Sequence, residues 1–142
     1  MNSEIKIIDQ KLLDSLVGQA KESPRLRMNY NFHPRLEDPI NRLLNAMEPG
    51  TIFPIHRHSN PDKDEYFLVL RGRLRCFIYN DEGETILIKD IAPADGVFGM
   101  EIPSPFWHSF EVLESGTVVY EIKEGPYAPL SSENITSFGN EI

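Results

Sequence analysis

From Ile40 to Glu124 the chain alternates apolar and polar residues in short runs, each closed by a turn signal. The period of two predicts strands over 40–47, 51–58, 65–71, 73–80, 84–91, 97–102, 107–113 and 117–124. The breaks between them fall at Pro49-Gly50, Ser59-Asn-Pro-Asp62, Gly72, Asn80-Asp-Glu-Gly83, Pro93-Ala-Asp-Gly96, Pro103-Ser-Pro105 and Glu114-Ser-Gly116. Short strands at such regular intervals predict an all-β sandwich or small barrel. Upstream, Leu12, Leu13, Leu16, Val17 and Ala20 recur at helical spacing, with Asp9 placed to cap the helix and Pro24 to stop it. Residues 4–8 alternate weakly and predict an edge strand. The organisation expected is therefore an N-terminal strand and helix over 1–24 packed on a barrel over 25–130, followed by a polar, loosely ordered tail over 131–142.

Arg25 to His33 is a stricter case. Leu26, Met28, Tyr30 and Phe32 fall on one face, and Arg25, Arg27, Asn29, Asn31 and His33 on the other. A solvent face usually carries Lys and Glu. Here it carries directional hydrogen-bonding groups instead, which makes Arg27, Asn29 and Asn31 candidates for binding a polar ligand and His33 a candidate proton carrier.

Composition narrows the function. At 142 residues and a net charge of −8, the chain suits one domain and is a poor partner for nucleic acid or an anionic membrane. The charge is uneven. Residues 25–75 hold nine basic groups, including all eight arginines, against six acidic ones, while residues 76–142 hold two lysines against twelve carboxylates. The arginine-rich stretch would favour an anionic small molecule locally, unless its members pair with the acidic half across the fold. Cys76 is alone, so it forms no intrachain disulfide and reads as a small buried hydrophobe in a reducing, cytoplasmic setting. The N-terminus lacks the pattern of a secretion signal, and no apolar run approaches a membrane span.

Chemistry concentrates in two places. His56 and His58 share a face of one predicted strand, and the Ser59–Asp64 loop returns the chain to put Glu65 on the adjacent strand. Glu65 shares parity with Phe67 and Val69, and His108 with Phe110 and Val112. Each candidate ligand therefore sits among residues expected to face the interior, where an unpaired polar group is costly and a metal ion satisfies four at once. Any one of these residues alone is unremarkable: a surface Glu, or a core His with a local partner. Four with consistent parity predict a seat for one divalent ion. Imidazoles with a carboxylate and no thiolate suit Fe, Mn, Co, Ni or Zn, and four protein ligands leave room for water or substrate on a six-coordinate ion.

These residues carry a family resemblance. Gly50-x5-His56-x-His58-x6-Glu65-x6-Gly72 resembles the first cupin motif, with a long spacer before the carboxylate, and Pro103-x-Pro105-x2-His108 resembles the second. Arg27-x-Asn29-x-Asn31-x-His33-Pro, Asn41 to Gly50, Glu101-Ile-Pro, Trp107-His108 and Glu121-x-Lys123-x-Gly125-Pro-Tyr127 together are similar to the WbuC-type cupin-fold metalloproteins, small bacterial proteins associated with surface-polysaccharide gene clusters. The resemblance implies a cupin-type double-stranded β-helix (a jelly-roll barrel), a bound metal (Zn, Fe, Mn or Ni), a homodimer and a small-molecule, carbohydrate-like ligand. Trp107, of outward parity, reads as a dimer anchor or as cover for a sheet face. Tyr127, after Gly125-Pro126, reads as a proton donor at the barrel mouth or as a packing aromatic. Three activities fit: a metal-dependent isomerase or epimerase using His33 and Tyr127, an Fe(II) oxygenase, and a non-catalytic sugar-binding module.

Overall fold

The computed structural model describes residues 4–138. One helix, α1 (Gln10–Glu22), precedes ten strands: β1 (Arg27–Asn31), β2 (Ile40–Met47), β3 (Ile55–His56), β4 (Glu65–Arg71), β5 (Leu74–Tyr79), β6 (Thr85–Ile91), β7 (Gly99–Ile102), β8 (Trp107–Val112), β9 (Thr117–Glu124) and β10 (Ile135–Thr136). They form two five-stranded antiparallel sheets, ordered β1-β2-β9-β4-β7 and β10-β3-β8-β5-β6. Strands adjacent in sequence often lie in different sheets, as in a jelly roll, so the chain crosses repeatedly between the two layers.

Side-chain parity builds the core between those layers. Met47, Phe67, Val69, Leu74, Cys76, Ile78, Ile91, Ile102, Val112 and Val119 point inward and pack together. On β4 the alternation is complete, with Glu65, Phe67 and Val69 buried while Leu68 and Leu70 are exposed. Cys76 is fully buried, and burial, helped by the negative charge of Glu65, pushes its thiol pKa up to about 12, as befits an inert apolar side chain.

The first sheet is covered on its outer face as well. The Asp9 carboxylate accepts from the backbone N–H of Leu12 at 2.9 Å and starts α1, whose Leu13, Leu16 and Ala20 pack on Leu44, Ala46 and Val118. Met28, Tyr30 and Phe32 join this second cluster, the face that their alternation assigns them. Burial on both faces explains why β2 reads as an almost continuous buried run.

Three elements differ from the sequence expectation. Residues 4–9 form no strand, because the chain enters α1 without meeting a sheet edge. The strand expected over 51–58 shrinks to Ile55–His56: Pro54 offers no N–H to a ladder, and Ile52 is 83% exposed. The polar tail, conversely, is built in. Ile135 and Thr136 pair with His56 and Ile55, and Asn134 is buried. The Asn134 side chain donates to Ser59 O at 2.9 Å and accepts from Ser59 Oγ at 2.8 Å, while its carbonyl accepts from Arg57 N at 3.0 Å. Residues 1–3 and 139–142 of the terminal segments lie outside the described residues.

Candidate metal centre and its cavity

His56 and His108 are register partners on β3 and β8, so their rings meet at a centroid distance of 4.2 Å. His58 follows two residues after His56, with ring centroids 5.1 Å apart. Glu65 does not arrive on an adjacent strand. It opens β4, which pairs with β7 and β9 in the facing sheet, so its carboxylate meets the imidazoles across the barrel interior. The six-residue spacer 59–64 makes this crossing possible, and it is held at both ends. Ser104 N donates to Asp64 at 3.0 Å, Ser104 Oγ donates to His58 O, and Lys63 N donates to the same carbonyl at 3.2 Å. One ligand atom from each of His56, His58, Glu65 and His108 lies within 4.8 Å of all the others.

Hydrogen bonds prepare the rings. The carbonyls of Pro54 and Phe106 can only accept, so His56 Nδ1 donates to the first at 2.9 Å and His108 Nδ1 donates to the second at 3.0 Å. In the neutral rings this leaves Nε2 as a lone pair, the arrangement that backbone partners impose on metal-ligating histidines. His108 Nε2 then faces Glu65 Oε2 at 3.1 Å. Two acceptors at that distance need a proton or a cation between them. His58 Nε2 lies 3.2 Å from the same oxygen, poorly aligned for a hydrogen bond and otherwise without a partner. Burial, reinforced by the neighbouring His108, lowers the His56 pKa to about 3, so this ring is neutral across the physiological range. At Glu65 burial opposes ionisation, but the His108 and His58 rings together hold its carboxyl well below the usual range. The neutral His56 ring, two further imidazoles and an ionised carboxylate make a donor set that fits a divalent cation.

Three members of this cluster, His56, His58 and Glu65, line a cavity of about 240 Å³. Of the residues singled out from sequence, Arg27, Asn29 and Tyr127 line it together with His56, His58 and Glu65; Asn31 and His33 do not. β1 ends at Asn31, and the His33 ring is buried beyond it, with Nδ1 at 3.1 Å from both the N–H and the carbonyl of Arg42. His33 is thus tied to β2, where its Nδ1 accepts from the Arg42 N–H, and neither the metal cluster nor the cavity includes it. Trp107 is buried under the chain's own tail, edge-on to Phe138 at 5.5 Å, stacked by Arg57 at 4.4 Å and donating to Asp81 at 3.2 Å. It covers a sheet face and is not free to anchor a partner.

Polar residues from β2 and β9 complete the lining: Asn45, Glu121 and Lys123. Strand parity marks them, because Glu121 and Lys123 share the face of the inward Val119, and Asn45 sits between the outward Leu44 and Ala46. Burial, then the charge of Glu65, raises the Glu121 carboxyl to about 7, while Lys123 and a hydrogen bond from Asn45 act in the opposite sense. The cavity therefore presents a carboxyl able to hold or release a proton near neutrality on the sheet opposite the histidines.

Comparison with known proteins agrees with this architecture. Residues 8–90 match the model of DUF6016, a domain of unknown function; the stretch includes His56, His58 and Glu65 but stops short of His108. No curated protein matches the chain. Among solved structures, KdgF from Halomonas sp. is similar at 17% identity and a TM-score of 0.55, covering 75% of this chain and 83% of its own. CapF from Staphylococcus aureus, described as a capsular polysaccharide assembling protein, is similar at 21% identity and a TM-score of 0.60, over 75% of this chain and 30% of its own. Oxalate decarboxylase of Bacillus subtilis, described with Mn(II) centres, gives 21% identity and a TM-score of 0.52, over 72% and 30%. The chain thus spans less than a third of the latter two. Likeness at these identities is one of fold: a cupin-type jelly-roll barrel.

Proposed function

The chain belongs to the DUF6016 family, a domain of unknown function, and we propose that it is a metal-dependent isomerase or epimerase acting on a small carbohydrate-like molecule. One observation carries the reading. Four prepared ligands, His56, His58, Glu65 and His108, converge beside a cavity that also holds the proton-carrying Glu121, on the sheet facing the histidines. Motif likeness to the WbuC-type cupins and the capsular polysaccharide assembly of CapF support a place in surface-polysaccharide metabolism. The Mn(II) centres of oxalate decarboxylase and the N,O donor set support Mn, Fe, Ni or Zn as the ion.

A divalent ion held by the four side chains would polarise a ligand oxygen as a Lewis acid. Asn29 and Asn45 offer amide groups to hydroxyls. Arg27, stacked at 4.7 Å over Phe53, fixes a guanidinium in the wall. Glu121 takes a proton from a ligand carbon or returns one to it, and Tyr127, also in the lining, is the second proton-bearing group. His33 has no part in this scheme. The cavity is smaller than the usual range of about 300–1,000 Å³ for drug-sized ligands, which favours a monosaccharide-sized compound over a polymer.

We also propose a homodimer. β6 pairs on one side only among the described residues, and its Ile86, Leu87 and Ile88 are 53%, 45% and 57% exposed, an apolar edge that a second copy would cover. Light scattering of the full chain and of Ile86→Lys/Ile88→Lys tests it: a wild-type monomer sinks this part. The catalytic reading is tested by metal analysis of the full chain expressed with Zn, Mn and Fe supplied, followed by NMR of monosaccharides in D2O. We expect one ion per chain and carbon-bound deuterium that appears only with metal and Glu121 intact. A chain that takes up no metal overturns the reading. Oxygen consumption in place of deuterium exchange would identify an oxygenase, and saturable binding without exchange a binding module.

A further inference from the structure

Seven of the eight arginines fall into distinct groups. Arg35, Arg71, Arg73 and Arg75 form ion pairs with Asp38, Asp14, Asp95 with Glu114, and Asp90, respectively. Arg57 stacks on Trp107. Arg25 and Arg27 instead line the cavity beside the metal cluster, and among the described residues no ion pair joins either of them to a carboxylate. The guanidinium of Arg27 has five donors. One reaches Ile52 O at 3.4 Å, and its Nε is buried with no partner at all. Burial and the like charge of Arg25 both disfavour the charged form of Arg27; Glu121 opposes them only through space. The Phe53 ring holds the group in place without neutralising it. Lys123 adds a third cation to the same lining, and Asn45 Oδ1 is likewise buried and unpartnered.

An acidic chain of net charge −8 that keeps three cations in one small cavity, with Arg27 unpaired beside Arg25, is poorly satisfied as it stands. A buried or half-buried charge is retained at low cost only when something pairs with it. We propose that Arg27, with Arg25 and Lys123, forms an anion subsite that recognises a carboxylate or phosphate group on the ligand of this cavity, whose uncharged part lies toward His56, His58 and Glu65. Arg supplies a fork that accepts either group in bidentate fashion, and Lys and the second Arg supply the field. Glu121 and Glu65 are the carboxylates in the same lining. Glu65 is directed at the histidines, and the raised pKa of Glu121 reduces its opposition to an incoming anion. The inference rests on the cavity being the ligand site, as proposed above, but not on the metal being bound.

The test is isothermal titration of the full chain, Mn(II)-loaded and metal-free, with D-glucuronate, D-glucose 6-phosphate and uncharged D-glucose as probes. At least one anionic sugar should bind about ten- to a hundredfold more tightly than glucose, the range for hydrogen bonds to a charged group. Arg27→Gln should remove that advantage while metal content and melting temperature stay at wild-type values. Arg27→Lys should restore part of it. Arg25→Gln, at an exposed position, should reduce it too and serves if Arg27→Gln fails to fold. Preference for glucuronate identifies a carboxylate and preference for the phosphate a phosphoryl group; either supports the subsite. Equal affinity for the three sugars, no binding of either anion, or a preference that survives both Arg27→Gln and Arg25→Gln overturns it. Arg27-dependent anion binding by a chain that takes up no metal would sink the metal-dependent reading and leave the subsite standing. A metal-loaded chain without anion preference would do the reverse.

Discussion

Acid should cost the metal-free chain stability at one identifiable ring, that of His56. Its folded pKa is lowered by burial and then by His108 to about 3, against an ordinary 6.5. Between these values the unfolded chain binds a proton at this ring and the folded chain does not. Stability therefore rises with pH across the window and is lost progressively as pH falls from 6.5 toward 3. At pH 5 the unfolded ring is protonated by about 1.5 pH units of driving force, or roughly 2 kcal/mol at 1.36 kcal/mol per unit. For a chain of this length that lowers Tm by about 4–10 °C. Glu65, whose carboxyl is held well below its ordinary value of 4.5, acts in the same direction but only as pH falls below that value. Glu121, raised to about 7, instead gains stability as pH falls across the same window. Both groups are present in wild type and variant alike, so the comparison with a His56 variant isolates the imidazole. The assay is thermal unfolding in chelator, followed by circular dichroism, of wild type and His56→Gln at both pH values. The quantity read is the loss of Tm between them, which cancels the variant's own offset. Equal losses in the two proteins would refute the argument that a neutral, desolvated ring at position 56 is maintained at the expense of acid stability.

Saturating divalent metal should raise wild-type Tm, since an ion at a hundredfold over its Kd contributes about 2.7 kcal/mol; His108→Ala, lacking a ligand from the buried wall, should show no such rise in a melt with and without metal. Asn134→Ala should cost about 1–3 kcal/mol in urea unfolding, because Ser59 O and Oγ lose their buried partner, and it should weaken metal binding by freeing β10 from the strand that carries His56. Gly72→Ala should cost about 1–3 kcal/mol by the same measurement. Gly72 has a left-handed φ of 89°, and an added Cβ would stand 2.6 Å from Thr117 Cα; a variant as stable as wild type would contradict this packing.

The motif glycines show how much of the fold was legible. Gly50 and Gly72 both take positive φ, at 100° and 89°, where a side chain is strained. The alternation that placed Glu65, Phe67 and Val69 inward, and Met28, Tyr30 and Phe32 under the helix, survives intact. His33 shows the limit. Its parity matches that of Arg27, but parity holds only while a strand lasts, and β1 ends before it. Tail residues 131–138 were illegible for a related reason. Asn134 and Ile135 find their partners at Ser59 and His56, more than seventy residues away in sequence, and no local pattern announces such a contact.

Local sequence, then, determined the strands, their inward faces, the turn glycines and the identity of the four metal-ligand candidates, because each depends on backbone geometry within a few residues. Tertiary structure alone decided that Glu65 reaches the histidines from the facing sheet, that Glu121, Asn45 and Lys123 share their cavity, and that four arginines pair with acids while Arg25 and Arg27 do not. Charge partnership and cavity lining are set by distances between strands brought together by crossing the barrel, and those distances are not encoded in any single stretch of chain.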